Sequence, residues 1–131
     1  MFDDALVQQL AAELQQSQQT RTQVEHFSKR HPGMTIEDGY RIGRAWVELE
    51  KAAGKKVIGH KIGLTSRAMQ MALNITTPDS GVLLDDMLFA DGATVPKGRF
   101  IQPRIEAEIA FVMQAPLQGR KVTRDDVLAA T

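Results

Sequence analysis

Two glutamates separated by a single residue stand out in the segment IEAEIAFV. Residues 105 to 113 predict a β-strand, and alternation along a strand would place Glu106 and Glu108 on one face. Alanine and valine continue that face, and burying two like charges together is costly unless a cation neutralises them. A hard divalent ion such as Mg²⁺ prefers such oxygen ligands. The alternative is an antiparallel strand whose glutamate face lies in water, and the spacing alone leaves both interpretations open.

A lysine between glycines is the second feature, in the segment VIGHKIGL. Residues 57 to 64 are few and rich in β-branched side chains, which predicts a strand. Alternation then places Lys61 on the face of Gly59 and Gly63, which leaves space for a ligand to approach the ammonium group. The alternative is a surface lysine on an edge strand. His60 falls on the opposite, isoleucine-rich face and is interpreted as a structural histidine.

Two further charged residues have ordinary explanations. Asp79, in the segment TPDSG, is typical of a turn. Arg104 directly precedes the glutamate strand, and alternation along the strand would place it on the same face as Glu106 and Glu108. It could therefore pair with a substrate carboxylate or with the glutamates themselves. No Ser-His-Asp arrangement, phosphate-binding loop or dinucleotide fingerprint gives positive evidence for acyl transfer or nucleotide chemistry.

The elements that must position these residues begin with two helices. An apolar stripe with a spacing of four predicts a helix over residues 3 to 19, formed by Phe2, Leu6, Leu10 and Leu14. Thr35 with Asp38 resembles a capping box and predicts the start of a second helix, which ends before Gly54.

The rest of the chain predicts shorter elements. We expect a short helix that begins near residue 65, short strands around 82–84 and 87–89, the strand at 105–113 and a helix that begins at Thr123. The predicted fold class is α+β, with an N-terminal helical region over 1–56 packed on the first strands of a mixed β core over 57–131.

Composition excludes several classes of protein. Of the 131 residues, 16 are Lys or Arg and 16 are Asp or Glu, so the broad basic surface that nucleic acid requires is not expected. Cysteine is absent, which excludes disulfides and thiolate metal sites. No apolar run reaches the roughly 18 residues of a membrane span. We therefore expect no membrane or nucleic-acid partner and a cytoplasmic location.

Three motifs occur in a familiar order: GHKIGLTS at 59–66, PDSG at 78–81 and QPRIEAEIA at 102–110. Together they closely resemble the N-terminal half of the 2-hydroxypentadienoate hydratase family, which shares the fumarylacetoacetate hydrolase-like fold with 4-oxalocrotonate decarboxylases in the degradation of aromatic compounds. The segments TIEDGY and LLDDM are most similar to the branch that hydrates 2-oxohept-4-ene-1,7-dioate. Members of this family are longer, so the resemblance implies that much of the β core and a third carboxylate ligand lie beyond residue 131.

The resemblance also implies roles for the residues that match the motifs. Glu106 and Glu108 would bind Mg²⁺ or Mn²⁺, and Lys61 and Asp79 would be catalytic. Lys61 is also expected to bind the substrate, together with Arg104, whose position before the glutamate strand allows it to pair with a substrate carboxylate. The implied partners are a small 2-oxo or enol acid, further copies in a homo-oligomer and a decarboxylase of the same pathway.

The resemblance leaves three functions open. The first is a Mg²⁺-dependent hydratase that adds water to a 2-hydroxy-2,4-dienoate to give a 4-hydroxy-2-oxo acid. The second is a 4-oxalocrotonate-type decarboxylase of a 2-oxo-enedioate, which would use the same metal and lose CO₂. The third is a non-catalytic half-domain that acts as an assembly partner and has no affinity for metal.

Overall fold

Residues 1–131 are described by a computed structural model, which contains five α-helices and one antiparallel sheet of two strands. The helices are α1 (Asp4–Thr20), α2 (Phe27–Arg30), α3 (Ile36–Ala52), α4 (Arg67–Leu73) and α5 (Arg124–Ala129). The strands are β1 (Val57–Gly63) and β2 (Asp79–Leu84), and a short 3₁₀ helix, Asp85–Met87, follows β2. The α+β class is confirmed. Two compact units make up the chain, Met1–Ile101 and Gln102–Thr131.

Helices α1 and α3 pack against each other and form the main core of the first unit. Their apolar stripes supply its buried members, which are Val7, Leu10, Ala11, Ile42 and Ala45. Burying such side chains is the principal source of stability for a domain of this size. Helix α1 was predicted from the spacing of its apolar residues, and α3 was predicted from its capping box and the stop before Gly54. The bounds of both helices agree with the prediction to within a residue or two.

Asp38 joins the start of α3 to the N-terminal segment. Its side chain is fully buried and accepts hydrogen bonds from the Phe2 amide at 2.8 Å and from the Thr35 hydroxyl at 2.7 Å. The Thr35 hydroxyl accepts in turn from the Asp38 amide, which completes the predicted capping box. The Phe2 amide, followed by the Thr35 hydroxyl, lowers the pKa of Asp38 to about 2, because these donors stabilise the carboxylate.

Strands β1 and β2 form a hairpin-like antiparallel pair that encloses α4 in its connection. The register pairs His60 with Val82 and Ile62 with Ser80. A β-bulge interrupts the pairing near the start of β1. The predicted strand at 57–64, the predicted strand at 82–84 and the short helix after residue 65 are all confirmed.

The strand predicted at 105–113 is wrong for this structure. These residues have no β pairing, and Ile105 and Ile109 are 99% and 88% exposed. A strand exists through ladder hydrogen bonds to a neighbour, and the only sheet in residues 1–131 is the β1–β2 pair. The strand predicted around 87–89 is also absent, since the chain enters a 3₁₀ turn there.

In the second unit, helix α5 is the only regular element. It begins at the predicted position with a capping box of Thr123 and Asp126, and hydrogen bonds from Thr123 lower the pKa of the Asp126 carboxyl. The amide of Gln114 donates to the carbonyl of Ala130 at 2.7 Å, which ties the preceding segment to the end of this helix.

Candidate functional site

The register of the sheet brings Lys61 and Asp79 onto one face. Lys61 lies opposite Gly81, and Gly63 lies opposite Asp79. Residues that oppose each other in an antiparallel pair share a face, as do Lys61 and Gly63 two positions apart on one strand. Lys61 and Asp79 are therefore diagonal neighbours, and glycine occupies the other two positions of this four-residue group.

Gly63 is covered by the side chain of Asp79, and Gly81 is covered by that of Lys61. A Cβ placed on Gly63 would lie 2.1 Å from Oδ1 of Asp79, so the carboxylate occupies the space that a larger residue would fill. A Cβ on Gly81 would lie 3.4 Å from Cγ of Lys61, so the lysine stem passes over that glycine. The absence of side chains here lets one cation and one anion lie low over the sheet. We call Lys61, Gly63, Asp79 and Gly81 the Lys61–Asp79 face.

The backbone on either side of Asp79 is restrained. Pro78 precedes it and has a fixed φ. The amide of the next residue, Ser80, donates a hydrogen bond to Oη of Tyr40 on α3, with an N–O distance of 3.3 Å. The candidate catalytic aspartate thus lies between a proline and an anchored peptide.

The end of β1 turns sharply into the connection that leads to α4. Leu64 has a φ of 56°, a left-handed conformation that costs energy for a residue other than glycine. The side-chain amide of Gln70 donates to the Leu64 carbonyl at 2.7 Å and stabilises this turn. The strained residue directly follows Gly63, so the turn defines where the Lys61–Asp79 face ends.

A cleft of about 770 Å³ lies between α3 and the opposite face of the sheet. Its walls are mostly apolar, with Trp46, Val47 and Val82 among them, and it also reaches Tyr40 and Asp79. His60, which was interpreted as structural, is exposed and lines this cleft. Asp79 therefore lies where the cleft meets the edge of the Lys61–Asp79 face.

An ion cluster holds the other end of β2. Lys55 contacts the buried Glu50 and lies 3.1 Å from Asp86, and Arg99 lies 3.0 Å from the same Asp86. Partial burial of Lys55 and Asp86 disfavours their charged forms, but the hydrogen bonds and opposite charges within the cluster have the larger combined effect. As a result, the pKa of Lys55 is raised and the pKa of Asp86 is lowered. These pairs tie the end of α3 to the segment that follows the sheet.

The proposed metal ligands lie in the second compact unit. Glu106, Glu108 and Arg104 are exposed and belong to a segment without regular secondary structure. The shared face expected from strand alternation is therefore not formed in this structure. No group of three or more acidic, histidine or cysteine side chains that could hold a metal ion occurs in residues 1–131.

Three residues near the site were not predicted from the sequence: Tyr40, Leu64 and Gln70. A tyrosine on an amphipathic helix predicts core packing, and nothing in a leucine or glutamine predicts a left-handed turn or its hydrogen bond. One feature of the sequence could have indicated the cleft beside Tyr40. Gly39 and Gly43 lie one turn apart on α3, and their lack of side chains leaves that side of the helix open to the cleft.

Known proteins provide an independent comparison. The chain matches no established protein-family profile. It is 49% identical over its whole length to 2-oxo-hept-4-ene-1,7-dioate hydratase from Escherichia coli and covers 49% of that protein. It is 42% identical, again over its whole length, to 2-hydroxyhexa-2,4-dienoate hydratase from Comamonas testosteroni and covers 50% of it.

A solved structure shows the same fold. The chain superimposes with a TM-score of 0.92 and 32% identity on 4-oxalocrotonate decarboxylase from Pseudomonas putida G7, complexed with magnesium and adipate. The match covers 99% of this chain and 49% of that protein.

Among the helices of this chain, none is both long and apolar enough to cross a bilayer.

The chain spans about half the length of the curated relatives that it matches. The match to them nevertheless extends over all of its residues, and the fold agrees with that of the decarboxylase. Over nearly all of its 131 residues the chain is homologous to 2-oxo-hept-4-ene-1,7-dioate and 2-hydroxypentadienoate hydratases, and its structure matches the fumarylacetoacetate hydrolase-like 4-oxalocrotonate decarboxylase.

Proposed function

We propose that the protein acts as a divalent-metal-dependent hydratase in the breakdown of aromatic compounds, converting a 2-hydroxy-2,4-dienoate into a 4-hydroxy-2-oxo acid. The observation that carries the proposal is the Lys61–Asp79 face, in which a cation and a carboxylate lie side by side over two glycines. The identity of 49% to a 2-oxo-hept-4-ene-1,7-dioate hydratase favours a seven-carbon dioate as the substrate.

Hydration needs a stabilised enolate and a group that moves protons. The substrate first ketonises: the C2 hydroxyl loses its proton, C5 gains one, and the remaining double bond lies between C3 and C4. Water then adds its oxygen to C4 and a proton to C3, so the product contains one additional water. Lys61 donates a hydrogen bond to the developing negative charge on the C2 oxygen, and Asp79 carries a proton between water and substrate carbon.

Glu106 and Glu108 would hold the metal ion. Two carboxylates are a suitable donor set for Mg²⁺ or Mn²⁺, since Mg²⁺ in enzymes is commonly held by one or two carboxylates with water and substrate oxygens. When bound, such an ion supplies a Lewis acid for a 2-oxo acid. Arg104, in the same segment, would pair with a substrate carboxylate through its planar guanidinium.

The proposed assembly is a homo-oligomer in which the hairpin contributes to a larger mixed β core. The proposal of an oligomer is supported by four apolar side chains that are exposed within residues 105–112: Ile105, Ile109, Phe111 and Val112. Exposed apolar patches of this kind are typical of surfaces that become covered.

The experiment that tests this function is product analysis by mass spectrometry. A 2-hydroxy-2,4-dienedioate and a 2-oxo-enedioate are incubated with the 131-residue chain and with the product of its full reading frame, each with Mg²⁺ and with EDTA. A Mg²⁺-dependent gain of one water by the dienedioate is the expected result. No gain of water with either protein would contradict the proposal.

Decarboxylation is the second candidate, because a solved structure that matches the chain is a 4-oxalocrotonate decarboxylase. Loss of CO₂ from the enedioate in the same assay would move the assignment to this reaction. A half-domain that only assembles with a partner would show neither reaction and no affinity for Mn²⁺ in a calorimetric titration.

A further inference from the structure

We propose that Tyr40 is a positioning residue for the reaction: its phenol oxygen holds the peptide between Asp79 and Ser80 and thereby fixes Asp79 on the Lys61–Asp79 face. This inference rests on the proposed function, because it assigns a purpose to the orientation of Asp79. Tyr40 acts through the backbone and not through contact with substrate, so it is distinct from Lys61 and Asp79 themselves.

The geometry of the peptide bond gives the first reason. The amide that donates to Oη of Tyr40 belongs to Ser80, and a peptide unit is planar. The same plane therefore contains the Cα and carbonyl carbon of Asp79. Holding the N–H direction restrains the rotation about the Cα–C bond of Asp79, and so restrains how its carboxylate lies over Gly63.

The exposure of Asp79 gives the second reason. Asp79 and Ser80 are both exposed, so the packing of neighbouring side chains does little to hold this end of β2. Asp79 is also the first residue of the strand, where a sheet frays most easily. An additional anchor is needed if the carboxylate is to stay within reach of a reacting atom.

The rigidity of α3 gives the third reason. Tyr40 is half-buried and precedes Ile42 and Ala45, which are buried against α1. The element pairs that pack closely are α1 with α3 and β1 with β2, whereas other pairs touch only weakly. The bond from Tyr40 to Ser80 therefore connects the rigid helical pair to the sheet at the position where orientation matters.

The test compares Tyr40→Phe with a matched removal of a hydroxyl far from the site. Phenylalanine keeps the ring and removes only Oη, so folding should be retained. The control is Thr20→Val, which removes a hydroxyl that bonds to the Gln16 carbonyl on α1. Hydration is measured with Mg²⁺ in the product of the full reading frame, and exchange of the Ser80 amide is measured by NMR.

We expect Tyr40→Phe to lower kcat about three- to tenfold, the effect of one neutral hydrogen bond, and to change KM less than about twofold. The Ser80 amide should exchange faster, and Thr20→Val should match the wild type in both measurements. A kcat equal to that of the wild type would overturn the role of Tyr40 alone. A wild-type protein without hydration would refute the proposed function, and this role with it.

Discussion

Replacing Gly63 with alanine should disable the site while leaving the fold intact. The new Cβ would lie 2.1 Å from Oδ1 of Asp79 and 3.1 Å from its Cγ. A comfortable carbon–oxygen contact needs about 3.3 Å, so the carboxylate has to move by about 1 Å or more. Asp79 is exposed, and its side chain can rotate away at a cost of about 0.5–1.5 kcal/mol. Gly63 does not have a positive φ, so the alanine itself is not strained.

A displacement of about 1 Å at a reacting group can reduce the rate about 100-fold, and this is the loss of kcat that we expect for Gly63→Ala. The free energy of unfolding should change by no more than about 1 kcal/mol, because alanine also restricts the unfolded chain. The assay is steady-state hydration of the dienoate by the product of the full reading frame, together with thermal unfolding followed by circular dichroism.

Gly33→Ala is the matched control for this prediction. Gly33 lies in an exposed turn before α3 and does not have a positive φ, and a Cβ added to it would meet no atom within 4 Å. We expect this variant to retain the kcat of the wild type within about threefold. Equal rates for Gly63→Ala and wild type, or an equal loss in both variants, would refute the idea that Gly63 makes room for Asp79.

Two further predictions concern the buried carboxylate of α3 and the metal. Asp38 has a pKa of about 2 against an ordinary 3.8, so its carboxylate contributes stability that is present above about pH 4 and is lost as the pH falls towards 2. The difference in thermal midpoint between wild type and Asp38→Asn should therefore shrink over that pH range. A constant difference would contradict this prediction. Glu106→Gln should weaken Mn²⁺ binding about tenfold or more in calorimetry. Glu25→Gln, which changes an exposed glutamate outside the proposed site, should bind Mn²⁺ as the wild type does. Equal Mn²⁺ affinities for Glu106→Gln and wild type would exclude Glu106 as a ligand.

The helical part of the fold could be predicted because its causes are local. The apolar spacing of α1 and the pairing of Thr35 with Asp38 depend on residues three or four positions apart, which a sequence displays directly. The same holds for α5, which begins at Thr123 as expected. The four-residue helix α2 was missed, because so short an element has no periodicity to detect.

The strand expected at 105–113 shows the opposite case. Alternation describes what a segment could do in a sheet, but a strand also needs a neighbour with matching donors and acceptors. Residues 57–63 have such a neighbour in β2, whereas residues 105–113 have none among the 131 residues. The pattern was therefore sufficient for one segment and insufficient for the other.

The candidate site was only partly predictable for the same reason. Alternation correctly placed Lys61 on the face of Gly63, but its proximity to Asp79 depends on the register of two strands separated by α4. The bond from Tyr40 to Ser80 joins residues that are 40 positions apart. Contacts at such separations come from tertiary packing, which local spacing does not encode. The roles of these residues in catalysis, and of Glu106 and Glu108 in metal binding, stay predictions.

The most direct test of the proposed chemistry is the hydration rate of Asp79→Asn with Mg²⁺, measured in the product of the full reading frame. The control is Asp91→Asn, which changes an exposed aspartate in a turn outside the sheet. Asparagine keeps the shape of the side chain but cannot carry the proton, so kcat should fall about 10²- to 10⁴-fold. Asp91→Asn should retain the wild-type rate. A wild-type rate in Asp79→Asn would contradict the proposal that the Lys61–Asp79 face carries the reaction.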